Sequence, residues 1–200
     1  MDRTENHLNY NPWLRGIYDE ARDIAAADPG TVLEPGLDEL DLNNRAQTIR
    51  YGDYKYISPI SDPELINKEG TAVPEAYFSF LFLIGGFSCR SVCLFHLGKE
   101  YLYNEHGRNR SVANVAGPSV RERVITGETQ SYHVRFELSY PVQIILGKCD
   151  HGEYVFDRRY ESYFLIGFDR ITHFNNCGEM LSHAMSRARK NIEENWTESQ

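Results

Sequence analysis

The cysteines of this chain could bind a metal, but they are not spaced for it. Cys89 and Cys93 are four residues apart in a stretch predicted as one strand, so their Cα atoms would lie about 13 Å apart. That separation excludes a shared metal ion, and no Cys-x-x-Cys pair occurs elsewhere. Four cysteines in 200 residues do not make a disulfide framework, so reduced thiols and no metal site are predicted.

Histidines and phosphate-binding loops give no catalytic pattern either. The seven histidines are scattered singly, and Gly85-Gly86 is predicted to be a hairpin turn rather than a phosphate loop. No catalytic residue is therefore predicted, and the chain is not expected to be an enzyme. The remaining enzyme hypothesis is metal-independent chemistry on nucleotides or nucleic acid. It requires His133, His151 or His173 to gather with Tyr and Arg side chains in one pocket.

Composition favours contact with other protein. The chain has 13 tyrosines, and its 21 basic residues comprise 16 arginines and only 5 lysines. Tyr and Arg are enriched at protein interfaces, where the planar guanidinium makes paired contacts that a lysine cannot make. The net charge is −8, and residues 1–70 are the most acidic part, which argues against nucleic acid as a specific partner. No apolar run is long enough to predict a membrane span.

The tyrosines also predict sensitivity to alkali. Tyr and Lys side chains both titrate at about pH 10. Above that pH, tyrosines become anions while lysines lose their charge, on a chain that is already acidic. An assembly held by buried tyrosine contacts would be firm at neutral pH and dissolve in strong alkali.

Hydrophobic patterning predicts one domain of the α+β class, an antiparallel β-sandwich with a projecting N-terminal helix and a C-terminal helix. Within residues 1–200 the predicted parts are an N-terminal helical arm (1–28), a loop-rich segment (29–75), a β-sandwich (76–174) and the C-terminal helix (175–196).

The two helices have recognisable ends. The first is predicted from Pro12, after an Asn11 N-cap, to about Ala27. The last is capped by Asn175 or Asn176 and runs from Cys177 to about Trp196.

Several strands are predicted between the helices, and three stretches among them matter most for the fold. Gln47–Ile57 is predicted as the one strand of the loop-rich segment, and the apolar run Ala76–Ile84 as a strand covered on both faces. Thr129–Leu146 is predicted as the central strand pair, with alternating apolar residues before Pro141. The apolar side of that alternation comprises Tyr132, Val134, Phe136 and Leu138, which are predicted core residues.

The central strand pair also carries a family resemblance. The run Gly117-Pro118-Ser119-Val120-Arg121-Glu122-Arg123, then Gly127-Glu128, Tyr132 and Phe136-Glu137-Leu138, resembles the later strands of cypovirus polyhedrins. Further on, Phe174-Asn175-Asn176-Cys177 is similar to a Phe-x-x-Cys helix start in that family. The resemblance covers about residues 85–195, and none of its motifs is catalytic.

The resemblance implies a structural function. Polyhedrins of this family are β-sandwiches with a projecting N-terminal helix. They form trimers that pack into crystals in the cytoplasm of the host cell, and these occlusion bodies enclose virus particles and dissolve in alkali. Partners would then be further copies of the chain, as a homotrimer and a lattice, and virus particles. No cofactor is required, although family crystals can hold nucleotides. The helix from Pro12 to Ala27 would lock neighbouring molecules together.

Two sets of residues follow as candidates. Candidate assembly contacts are Trp13, Arg15, Tyr18, Arg22, Tyr51, Tyr54, Tyr56, Arg158, Arg159 and Tyr160. Candidate alkaline-sensing residues are Tyr101, Tyr103, Tyr132, Tyr140, Tyr154 and Tyr163. The alternative function is an acidic intracellular binding or immunity module whose N-terminal 70 residues mask a basic toxin or nuclease.

Overall fold

The computed structural model describes residues 3–36, 46–51, 54–59, 71–96, 121–126, 129–130, 142–158 and 160–197. The helices are α1 (Arg3–Tyr10), a short 3-10 turn (Pro12–Leu14), α2 (Arg15–Ala27), α3 (Glu75–Leu83) and α4 (Cys177–Thr197). The strands are β1 (Val32–Pro35), β2 (Ala46–Tyr51), β3 (Tyr54–Pro59), β4 (Thr71–Pro74), β5 (Ile84–Cys89), β6 (Val92–Leu94), β7 (Arg121–Thr126), β8 (Thr129–Gln130), β9 (Val142–Cys149), β10 (Gly152–Asp157), β11 (Ser162–Ile166) and β12 (Ile171–Phe174).

Antiparallel pairing organises the described strands into two sheets. The larger follows the order β1-β5-β6-β9-β10-β11-β12, with β7 joined to β9 and β8 to β7. The smaller is β2-β3-β4. These sheets and the four helices confirm the α+β class. Face-to-face packing of two sheets, which would define a sandwich, stays a prediction.

The predicted N-terminal helix forms, but it does not project. Leu14, Ile17, Ala21 and Ile24 are buried in the core, and α2 packs against α4. The spacing of these residues gives α2 one apolar stripe, which the chain's own core covers. The prediction of a projecting arm is therefore wrong for this helix. The preceding helix, α1, was not predicted.

The apolar run predicted as a strand at 76–84 is instead helix α3. Tyr77, Phe78, Phe80 and Leu81 are all buried, and the helix is apolar on every side. A continuous apolar run of this length fits a buried helix as well as a buried strand, so periodicity cannot separate the two. The predicted turn at Gly85-Gly86 is also wrong, because both glycines lie inside β5.

The loop-rich prediction for residues 29–75 is corrected as well. Four strands, β1 to β4, lie in this range, and the single strand predicted at Gln47–Ile57 is the antiparallel pair β2 and β3. Prolines misled the prediction because they were interpreted as loop signals. Pro35, Pro59 and Pro74 are instead the last residues of strands.

Only the two ends of the central stretch Thr129–Leu146 are described. Val142 begins β9, which pairs with β6, β7 and β10, and Ile144, Ile145 and Leu146 are buried. This confirms the strand predicted after Pro141. The predicted core residues Tyr132, Val134, Phe136 and Leu138 lie outside the described residues.

Helix α4 agrees with its prediction. Met180, Ala184, Ala188 and Ile192 are buried along one side at four-residue spacing. Between α4 and the rest of the fold, Arg189 contacts Glu20 of α2, and Asn191 donates a hydrogen bond to Ser91 at 2.7 Å.

A buried tyrosine connects α3 to the large sheet. The Tyr77 hydroxyl lies 2.8 Å from the carbonyl oxygen of Phe95, which follows β6, and 2.7 Å from that of Leu146 in β9. Burial raises the pKa of this phenol well above its ordinary value, so it stays neutral. Leu146 also accepts the Phe95 backbone N–H at 2.8 Å. Tyr77 is thus the polar connection of an otherwise apolar helix.

We expect Tyr77→Phe to lower the free energy of unfolding by about 1–3 kcal/mol, because the Phe95 carbonyl would lose a partner inside the core. Urea unfolding followed by circular dichroism measures this loss. Tyr10→Phe is the matched control, since Tyr10 is 87% exposed and should change nothing. Equal stability of the Tyr77→Phe protein and the wild type would contradict the role given to this hydroxyl.

Candidate functional site

A half-open cleft of about 450 Å³ lies where four parts of the fold meet. Its walls come from the 3-10 turn, the amino end of α3, the β10–β11 hairpin and the amino end of α4. The lining residues are Asn11, Trp13, Pro74, Glu75, Ala76, Ser79, Phe156, Glu161, Tyr163, Asn175, Asn176 and Cys177. Its volume is in the range of about 300–1,000 Å³ found for sites that bind small molecules or side chains.

Trp13 supplies the aromatic surface of the cleft. Helix α1 ends at Tyr10, and the chain turns at Asn11 to place Trp13 at the cleft. The Asn11 side chain donates a hydrogen bond to the His7 carbonyl at 3.3 Å and does not cap the next helix. The indole rests against the backbone of α4, because a Cβ on Gly178 would lie 3.3 Å from Trp13 Cε3. Trp13 remains 40% exposed, so part of the ring is free to contact a ligand.

The amino end of α4 forms a fixed polar wall. Asn176 Oδ1 accepts the Glu179 backbone N–H at 3.0 Å, which makes Asn176 the N-cap and settles the choice between the two predicted asparagines. The Glu179 carboxylate returns to Asn175, accepting its backbone N–H at 2.8 Å. Hydrogen bonds from the Asn175 side chain and backbone lower the pKa of Glu179. This reciprocal arrangement holds Asn175 and Asn176 at the cleft.

Two carboxylates give the cleft an acidic character. Glu75 opens α3 and Glu161 lies in the β10–β11 turn, and none of the described lining residues is Lys, Arg or His. The positive amino end of α3 partly offsets Glu75. Glu161 has a φ of 48°, the left-handed conformation that non-glycine residues rarely adopt. The cleft therefore suits a cationic or hydrogen-bonding group next to an aromatic ring.

The floor of the cleft is buried and neutral. Burial raises the pKa of the Cys177 thiol, and a hydrogen bond with Tyr163 opposes that rise. Phe156 packs on Tyr163 with ring centroids 4.8 Å apart. A protonated thiol is a weak nucleophile, so Cys177 acts here as a packing residue.

The predicted assembly contacts are distributed over several surfaces. Trp13 lines the cleft, whereas Tyr160, which is 65% exposed, contacts the ring of Phe164. Arg15 is bonded to Glu5 at 2.9 Å, and Arg22 stacks over Tyr18 at 5.6 Å on α2. The other members lie elsewhere: Tyr51, Tyr54 and Tyr56 are on β2 and β3, Arg158 follows β10, and Arg159 lies outside the described residues.

The predicted alkaline-sensing residues are described only in part. Tyr154 and Tyr163 are both buried in the core. Burial also raises the pKa of Tyr154 far above its ordinary value, with the neighbouring Cys149 adding to the rise. The remaining members, Tyr101, Tyr103, Tyr132 and Tyr140, lie outside the described residues. Tyr77, which has the same property, was missed because its apolar surroundings were interpreted as a strand.

A second polar cluster lies between the β9–β10 turn and α4. The Tyr154 hydroxyl is 3.0 Å from His183 Nδ1, and Arg187 forms an ion pair with Asp150. Burial lowers the pKa of His183, and the positive charges of Arg187 and His151 lower it further. His183 is therefore neutral at neutral pH and can accept the tyrosine hydrogen bond. These contacts tie the hairpin to the helix.

The enzyme hypothesis requires one of its histidines to meet Tyr and Arg side chains, and among the described residues His151 approaches such a group. His151 lies 3.9 Å from Asp150 at the edge of the second cluster, whereas His173 packs on Phe164 of β11. His133 lies outside the described residues. His183, which does meet Tyr154 and Arg187, was missed by that hypothesis. Helical periodicity could have identified His183, because it lies on the side of α4 that faces the core.

The cysteine prediction needs one correction. Cys89 and Cys93 lie on neighbouring strands, β5 and β6, with Cys93 opposite Ser88, and not along one strand. Burial raises the pKa of both thiols. All four cysteines are free, and within the described residues no group of three or more His, Cys, Asp or Glu side chains could hold a metal ion.

Comparisons with known proteins add no identification. No family model, curated protein or solved structure matches the chain. Among the helices that the structure describes, none has the length and apolar character needed to span a membrane.

We expect Asn176→Ala to destabilise α4 by about 1 kcal/mol, because the Glu179 N–H loses its cap. Asn176→Asp is the matched control, since a carboxylate oxygen still accepts that hydrogen bond. Chemical unfolding of the two variants and the wild type measures the difference. Equal losses in both variants would show that the cap is not the cause.

The lowered pKa of His183 predicts acid sensitivity. In the unfolded chain this histidine binds a proton below about pH 6.5, whereas the buried one resists protonation, so its contribution to stability is lost as the pH falls through that region. We expect the free energy of unfolding to decrease less steeply between about pH 7 and 5 in His183→Gln than in the wild type. Ser182→Ala, at an exposed position on α4 that does not titrate, is the control and should keep the wild-type slope. Identical slopes in all three proteins would contradict this role for His183.

Proposed function

We propose that this chain is a structural protein that assembles with copies of itself into an intracellular crystal, which encloses virus particles and dissolves in alkali. The resemblance of residues 85–195 to cypovirus polyhedrins supports a homotrimer as the building block and the host-cell cytoplasm as the location. Assembly needs no catalytic residue and no cofactor. A nucleotide bound in the crystal would be compatible with this function.

The observation that carries the proposal is an apolar protrusion between β11 and β12. Phe168, in the turn, is fully exposed, and Ile171, the first residue of β12, is 67% exposed. We call Phe168, Asp169, Arg170 and Ile171 the hairpin tip. Neighbouring exposed apolar side chains, here Phe168 and Ile171, are typical of surfaces that bind other protein. A second copy of the chain would cover this surface in an assembly.

Further exposed features fit the same function. Tyr10 and Tyr160 are 87% and 65% exposed, and Tyr is a residue type that interfaces favour. At the far end of the larger sheet, β12 pairs with β11 and has no neighbour among the described strands on its other side. A free strand edge offers backbone N–H and C=O groups to another molecule.

Buried tyrosines support the alkaline step. Tyr77 and Tyr154 have folded-state pKa values above the ordinary value because they are buried. Their contribution to stability is complete below about pH 10, where the unfolded phenols are also neutral. Above that pH the unfolded chain releases protons that the folded chain retains, so each tyrosine lowers stability by about 1.4 kcal/mol per pH unit. Dissolution would then follow from unfolding of the subunits.

The acidic cleft favours the alternative function. Glu75 and Glu161 next to Trp13 could receive an Arg or Lys side chain of a basic toxin or nuclease, and the net charge of −8 would attract such a partner. A binding module of this kind would be a soluble monomer at high concentration, whereas the matrix protein would not.

The proposed function is tested by expressing the chain alone in insect cells. We expect micron-scale crystals or particles that persist at neutral pH and dissolve above about pH 10, the pH at which tyrosine ionises. Tyr154→Phe should dissolve at a higher pH than the wild type, because one titrating group has been removed. Ser186→Ala is the control, since it removes an exposed hydroxyl that does not titrate and should leave the dissolution pH unchanged.

Particle counts, light scattering and released protein against pH provide the measurements. A monomeric product without particles would overturn the proposal, and co-purification with a basic protein would then favour the binding module. Particles that are indifferent to alkali would overturn the alkaline part of the mechanism.

A further inference from the structure

We propose that the hairpin tip of one copy inserts into the acidic, aromatic cleft of the next copy, so that molecules join head to tail. The proposal rests on the proposed function, since it names the contact through which self-assembly would occur. Its occupant is a second copy of this chain.

The tip and the cleft are carried on the same β11–β12 hairpin, at opposite ends. Tyr163 pairs with Phe174 beside the cleft, and Ile166 pairs with Ile171 beside the tip. Four residues separate Tyr163 from the turn at Gly167, which corresponds to about 13 Å along a strand. Both strands are hydrogen-bonded along this length, so the tip cannot fold back into its own cleft. Only another molecule can bring a tip to it.

The tip has a cation available for this contact. Arg170 is exposed, and no side-chain hydrogen bond or ion pair joins it to another described residue. Phe168 provides an apolar ring two residues before it. The turn is closed by the Gly167 N–H donating to the Arg170 carbonyl at 2.9 Å, which holds both side chains on one compact protrusion.

The cleft has the complementary groups. Glu161 and Glu75 can accept hydrogen bonds from a guanidinium, and Trp13 offers a ring for stacking. Arginine suits such a site better than lysine because its planar group combines paired hydrogen bonds with stacking on aromatic rings. Asp169, the acid of the tip, would be favoured near the amino end of α3, which has no side-chain cap.

This contact joins different surfaces on the two partners, so it can repeat. Such head-to-tail interfaces generate a closed ring or an open array, depending on the rotation between neighbours. One turn buries less area than the roughly 800 Å² per partner of a stable interface, so each contact is weak by itself. A crystal that forms at high protein concentration through many such weak contacts could therefore still dissolve.

Complementation of two defective variants tests the proposal. The tip variant carries Phe168→Ser and Arg170→Glu and keeps its cleft, whereas the cleft variant carries Glu161→Lys and keeps its tip. Lys190→Glu is the control, because it reverses an exposed charge on α4 that belongs to neither the cleft lining nor the hairpin tip. Sedimentation velocity over a concentration series measures association, and circular dichroism with urea unfolding verifies that each variant is folded.

We expect the wild type and the control to associate equally. Each defective variant alone should associate at least about tenfold more weakly, since a buried hot-spot contact is lost. An equimolar mixture of the two should form a heterodimer that grows no further, because it contains one intact tip and one intact cleft. Glu161→Asn should weaken association less than Glu161→Lys, since Asn tolerates the left-handed backbone and removes the charge without reversing it.

Two results would overturn the contact while leaving the proposed function intact. One is wild-type association of the folded tip or cleft variant. The other is a mixture that forms no heterodimer although the wild type assembles. A wild type that stays monomeric at every concentration would instead overturn the proposed function, and this contact with it.

Discussion

The orientation of α3 depends on one buried hydroxyl. Hydrophobic burial is not directional, so the apolar surface of α3 does not by itself select one orientation under the sheet. The direct connections to β4 and β5 limit its rotation, and the Tyr77 O–H adds direction because it must reach the Phe95 and Leu146 carbonyls. Since Glu75 and Ala76 precede Tyr77 by one turn or less, the same bond places the amino end of α3 at the cleft. A core interaction thereby determines the shape of a surface site.

The same principle operates around the rest of the core, where polar side chains tie the ends of elements together. Asp28, buried at the end of α2, accepts hydrogen bonds from Thr31 at 3.2 Å and from Arg90 at 3.0 Å. Gln143 donates to Asp157 at 3.1 Å between β9 and β10. Each connection is satisfied within the protein, so it adds direction to a core that apolar packing alone would leave less well defined. Tyr77, Tyr154 and His183, whose pKa values are shifted by burial, also make connections of this kind.

Sequence reasoning found the features that depend on local periodicity. The helical stripe of Ile17, Ala21 and Ile24, the stripe on α4 and the cap at Asn176 could all be predicted because neighbouring residues determine them. It failed where the answer depends on distant partners. The composition of an all-apolar segment does not determine whether it forms a helix or a strand. The cleft is lined by residues between positions 11 and 177 that share no local sequence pattern. Trp13 and Tyr163 were singled out for other reasons, and only the fold brings them together.

The hairpin β11–β12 also limits what an assembly can be. If the hairpin tip of one copy occupies the cleft of another, as proposed, the contact joins different surfaces of the two molecules and cannot be symmetric. If each copy is rotated by a third of a revolution relative to the copy before it, three copies close into the trimer that the resemblance implies. All three tips then occupy clefts. The surfaces that remain, including Tyr10 on α1, would then have to supply the contacts between trimers. If the rotation does not close, the same contact forms a filament. If the ring closes, trimer formation and lattice growth would therefore require different residues. If it does not close, the same residues would serve the whole assembly.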